Sequence, residues 1–119
     1  MINKYKTDNL KVFQAIGLAE LIENKNIDKI KEYFDKNFIE YKDYKYIILG
    51  CTHYSLIKDK FIEYFKDSKI IDGNIGVVKQ TKNKLKELNI VFNKQEINFI
   101  DTSNNKIKNE IFNYYLYKD

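Results

Sequence analysis

The sequence predicts an α/β fold: a mostly parallel sheet flanked by helices in three layers. Three observations carry this. Short apolar runs alternate with stretches whose apolar residues recur at helical spacing. The strongest run, YKYIILG at 44–50, ends in glycine, as a buried parallel strand does. Helical patterns separate each strand from the next, the order that parallel pairing requires.

In chain order, LKVFQA (10–15) reads as a short strand and GLAELIEN (17–24) as a short helix. NIDKIKEYFDKNF sets Ile27, Ile30, Phe34 and Phe38 near one helical face. YKYIILG follows as a strand expected at the centre of the sheet. SLIKDKFIEYF then aligns Ile57, Phe61, Tyr64 and Phe65 on a helix. KIID is a second short strand, closed by Gly73, and GVVKQTKNKLKEL aligns Val78, Thr81, Leu85 and Leu88. EINFID (96–101) reads as a further strand. SNNKIKNEIFNYYLYK reads as a last helix, with Ser103 as its N-cap and Ile107, Ile111 and Tyr114 or Tyr115 stacked along it. Residues 1–119 are expected to form a single α/β domain.

The composition narrows the function classes. Hydrophobic residues make up 44% of the 119, enough for a core, which argues against disorder. The formal charge is +4, carried by lysines interspersed with acids, and arginine is missing. A nucleic-acid surface would cluster its basic residues, so no nucleic-acid partner is expected. A single cysteine excludes an internal disulfide and fits a reducing compartment. The start, MINKYKTDNLK, has no apolar signal core. The longest uncharged stretch, 46–57, is shorter than the ~20 residues of a membrane helix. A cytoplasmic protein with no membrane partner is expected.

The chemistry concentrates at one junction. Cys51 and His53, the only cysteine and the only histidine, flank Thr52 directly after the strongest strand. Ligands in parallel α/β sheets bind at such carboxyl ends. A thiol beginning a helix meets free backbone N–H groups, which favour thiolate and, with the Thr52 hydroxyl, suit a carboxylate ligand. Histidine exchanges protons near neutral pH. The plainer readings stand beside this: a lone cysteine is ordinarily a small buried hydrophobe, and a lone histidine a structural residue. A zinc site would need about four ligands, so no metal is expected. The glycines at 73 and 76 form no nucleotide-binding pattern.

The stretch IILGCTHYSLI resembles the second catalytic motif of glutamate racemases, an L-G-C-T-H-Y-P type sequence, with Ser55 in place of its proline. Related aspartate racemases usually carry glutamate where His53 stands. QAIGLAELIE (14–23) resembles the family's A-C-P-x-F-V-P-x-V-E segment. Ala15, Ile16 and Glu20 replace its Cys, Pro and Pro, and Glu23 aligns with its glutamate. KIIDGNIGVVKQT resembles the I-D-S-G-x-x-x-A segment, and residues 94–119 resemble the closing strand and helix.

The resemblance implies the second half of a two-domain racemase, and so an incomplete domain. It implies cofactor-independent interconversion of L- and D-glutamate, supplying D-glutamate for peptidoglycan. Cys51, His53 and Glu23 would be catalytic, with Cys51 one of two bases flanking the substrate, and Thr52 would bind substrate. The motifs of the first half, including the second cysteine, are absent here. The expected partners are glutamate and either a first-half domain or a second copy of the chain. The isolated chain is expected to be inactive. The alternative is a non-catalytic remnant, or an amino-acid-binding or interaction module of the same fold.

Overall fold

The structure is a computed structural model that describes residues 9–91, 96, 98–100, 102 and 106–117. Two strands, β1 (Tyr46–Ile48) and β2 (Lys69–Ile71), pair in parallel with Ile47 opposite Ile70. Six α-helices are described: α1 (Leu18–Glu23), α2 (Ile27–Asn37), α3 (Thr52–Ser55), α4 (Lys58–Tyr64), α5 (Asn74–Glu87) and α6 (Lys106–Leu116). The small parallel sheet with its connecting helices is compatible with the α/β class.

Local chemistry sets several boundaries. Gly17 begins α1 at φ 82°, a left-handed conformation that a side chain would strain. Asn26 caps α2, its side-chain oxygen accepting from the Lys29 amide at 3.2 Å. Asn89 turns the chain after α5 at φ 53°, an angle asparagine tolerates better than most residues.

The core is an aromatic wedge between α1, α2, α4 and one face of the sheet. Leu18, Ile22, Ile30, Phe34, Phe38, Leu49, Ile57, Phe61 and Phe65 are all buried. The Phe34 ring lies 4.7 Å from Phe61 and 5.1 Å from Phe38, within the range of favourable aromatic pairs. Of the helical face read from 27–38, Ile30, Phe34 and Phe38 are buried and Ile27 is exposed.

Several expectations are corrected. Residues 10–15 form no strand. The Ile16 amide bonds back to the Gln14 carbonyl at 2.9 Å, a tight bend instead of a ladder. Residues 98–100 are not a strand either, and Ile97 and Asp101 lie outside the described residues, as does Ser103. Among the described residues β1 has one neighbour, β2. The helix after Gly50 is broken into α3 and α4 at Leu56–Ile57.

Among the described residues the sheet is packed on one face. Ile47, Leu49 and Ile70 point into the core, whereas Tyr46 and Ile48 are 60% and 65% exposed on the other face. Parallel sheets ordinarily have both faces covered. Helix α5 buries none of its residues, so the predicted face of Val78, Thr81 and Leu85 meets no core. Helix α6 is better anchored: the Tyr115 hydroxyl donates to the Ile22 carbonyl at 2.6 Å, and the ring packs on the core.

Candidate functional site

Cys51 follows the carboxyl end of β1 and serves as N-cap of α3, in an extended conformation. Helix α3 has only four residues, so few peptide dipoles align there, and the thiol's specific neighbour is a side chain. The Cys51 Sγ lies 3.8 Å from His53 Nδ1. The other ring nitrogen, Nε2, lies 2.8 Å from Glu23 Oε1 at the end of α1. Three residues separated by up to 30 positions thus form one chain of contacts: thiol, imidazole, carboxylate.

The order of that chain fixes its chemistry. An ionised carboxylate only accepts hydrogen bonds. Facing Glu23, Nε2 therefore carries the proton and donates. The neutral ring then presents the Nδ1 lone pair to the thiol. In this tautomer His53 can take the S–H proton, leaving thiolate and imidazolium, and can return it. The carboxylate orients the ring and stabilises the imidazolium, as in other base–orienter pairs. The His53 and Glu23 side chains are 35% and 47% exposed, and Cys51 is half-buried, so the relay opens to solvent and to ligand. Thr52 is exposed beside Cys51.

Residues outside the predicted site hold this junction. The Tyr54 hydroxyl donates to the Ala15 carbonyl at 3.2 Å, tying the turn after Cys51 to the segment leading into α1. Burial and then the nearby Cys51 push the Tyr54 phenol up, keeping it a donor. Lys58 pairs with Asp72 at 3.2 Å, joining the start of α4 to the end of β2, and the Asp72 carboxylate is only 4% exposed. Tyr115 anchors α6 beside the relay; burial, then Tyr114 and Asp59, push its phenol up to about 12. With ten tyrosines in the chain, residue type alone did not mark these two. A small cavity of about 200 Å³ lies behind His53, between Leu56 and α6.

Fold and site together define an α/β protein with a thiol–imidazole–carboxylate relay at a strand's carboxyl end. No family profile matches the chain, and no solved structure does. Curated relatives do. A glutamate racemase of Clostridium acetobutylicum is 36% identical over 96 residues, 76% of this chain and 38% of that protein. One of Clostridium kluyveri is 32% identical over 123 aligned positions, 99% of this chain and 46% of the relative. One of Leptospira interrogans is 32% identical over 84 residues, 69% of the chain and 33% of the relative. The chain belongs to the glutamate racemase family and spans less than half the length of these relatives. Among the described residues, no helix is long and apolar enough to cross a membrane.

Proposed function

We propose that the chain is the second catalytic half of a cytoplasmic glutamate racemase, truncated or split from its first half, and that it acts without a cofactor. In the complete enzyme it would serve the supply of D-glutamate for peptidoglycan. The observation that carries this is the relay itself, set within the stretch that resembles the racemase motif.

The Cys51 thiol gives its proton to His53 Nδ1. The resulting thiolate removes the α-proton of glutamate from one face, forming an S–H bond as the C–H electron pair stays on carbon. A second acid must then protonate the opposite face. In the reverse direction the Cys51 thiol donates and is left as thiolate. Glu23 holds His53 in the required tautomer, and Thr52 with nearby amides binds the substrate carboxylate. The α-C–H is a very weak acid, so both faces need a positioned group. This chain holds one thiol, and His53 lies on the same side as Cys51. The opposite group lies in the part of the racemase that these residues do not span.

The test is complementation. The part of the Clostridium acetobutylicum enzyme outside the 96 matched residues is added as a separate polypeptide, and D-glutamate is followed by a chiral assay. Activity that appears only in the mixture, and is lost with Cys51→Ala, supports the reading. Activity equal for Cys51→Ala and the unmodified chain would overturn it. The alternative, a non-catalytic interaction module or remnant, is favoured by the uncovered sheet face and by the absence of buried residues in α5.

A further inference from the structure

Helix α1 carries the orienting carboxylate on its last residue, Glu23, and has only six residues. A helix that short is not stable by itself, so its placement comes from what touches it. Its start is tied to α3, where the Tyr54 hydroxyl donates to the Ala15 carbonyl at 3.2 Å. Six residues rise about 9 Å, so that tie leaves the far end, where Glu23 stands, free to swing. The far end rests on the Ile22 side chain, which is fully buried. Apolar burial is non-directional: it holds the helix end on the core without setting its rotation. A hydrogen bond is directional. Such a bond reaches this end from α6, where the Tyr115 hydroxyl donates to the Ile22 carbonyl at 2.6 Å.

We infer that Tyr115 is a positioning residue of the relay: by holding the Ile22 carbonyl it sets the adjacent Glu23 carboxylate against His53 Nε2, and so ties the orientation of the Cys51 base to α6. Four observations support this. Ile22 and Glu23 are neighbours in sequence, so a shift of that carbonyl carries the Glu23 backbone with it. The carboxylate is 47% exposed, and among the described residues its hydrogen-bond partner is His53. The Nε2–Oε1 distance is 2.8 Å, and a drift of about half an ångström takes it beyond a good hydrogen bond. Tyr115, Ile22, Glu23 and His53 also line one small cavity, so the α6 side chain and the relay share a wall.

The hydroxyl can be removed without unfolding the region. Tyr115→Phe keeps the ring that packs on the core. The Ile22 carbonyl keeps a second donor, the Lys25 amide at 3.0 Å, so no buried acceptor is orphaned.

This inference rests on the relay in the catalytic reading above, and is tested without substrate, on the His53 tautomer. The measurement is the imidazole ¹⁵N shifts of the intact chain. It is made in alkaline solution below the ordinary tyrosine value of 10.0, where the ring is neutral and the phenol still donates. Four chains form a double-mutant cycle: unmodified, Tyr115→Phe, Glu23→Ala, and both together. Tyr115→Phe should lower the ratio of Nε2–H to Nδ1–H about two- to fivefold, the lower figure matching one weak neutral hydrogen bond and the upper complete loss of the carboxylate. In the Glu23→Ala chain the same change should leave the ratio where it is, because the hydroxyl acts through Glu23. Phe38→Leu, a core change outside the relay and α6, should lower thermal stability and leave the ratio unchanged. An unchanged ratio in Tyr115→Phe, with Glu23→Ala lowering it, would overturn this inference and leave the relay standing. An equal drop with and without Glu23, or an equal drop in Phe38→Leu, would mark a general loosening of the fold and overturn it as well. A ratio that even Glu23→Ala does not move would overturn the relay and this inference together.

Discussion

Removing the Glu23 carboxylate should release the tautomer of His53. The bond between Nε2 and Glu23 Oε1 is 2.8 Å long, and both side chains are more than one-third exposed. A charge-assisted hydrogen bond contributes about 1.5–3 kcal/mol where water is excluded. Solvent screening at this exposure reduces it to about 1 kcal/mol. That is about a fivefold change in the ratio of Nε2–H to Nδ1–H forms. Because the chain holds one histidine, a single pair of imidazole ¹⁵N resonances reports it. In alkaline solution, where the ring is neutral, the unmodified chain should favour Nε2–H. Glu23→Ala should lower the ratio about fivefold, and Glu23→Gln, which keeps an acceptor without the charge, should fall between. An unchanged ratio in folded Glu23→Ala would refute the claim that Glu23 sets the orientation of the base.

Two further outcomes follow from the packing. Phe34 is 2% exposed and contacts the rings of Phe38, Phe61 and Tyr64; Phe34→Ala should cost about 3–5 kcal/mol and lower the urea midpoint by about 2 M. Tyr115, whose phenol is pushed up to about 12, favours its protonated form in the fold. Its contribution is therefore complete below the ordinary tyrosine value of 10.0 and lost as pH rises from there through about 12. Amide protection in α6 should fall across that window, and Tyr115→Phe should remove the dependence on pH.

Much of the site was legible because it is local. Cys51 and His53 are two residues apart, and the strand before them is short, apolar and closed by glycine. Glu23 was legible only through the family motif, since no spacing rule joins residues 23 and 53. The helices α1, α2 and α4 were legible because their apolar faces repeat at helical period and are buried. The same period over 78–88 predicted α5 correctly but not its exposure, because period states which face is apolar and not whether anything covers it. The missing strand at 10–15 has a related cause. A strand is completed by a partner edge, and this segment stands across a groove from the nearest one. The hydrogen bonds of Tyr54 and Tyr115 to backbone carbonyls, which reach 39 and 93 residues along the chain, leave no local pattern at all.

The central claim is that this chain supplies one of two opposed bases. It is tested most directly by incubating the chain alone with L-glutamate in D₂O, following the α-proton by NMR and D-glutamate by a chiral assay. With Cys51 as the one thiol, proton return comes from the face of removal, and the original hand is restored. The account predicts no D-glutamate, and at most Cys51-dependent exchange of the α-proton for deuterium. Formation of D-glutamate by the chain alone, abolished in Cys51→Ala, would contradict it and place a Cys51 from each of two copies on opposite faces of the substrate.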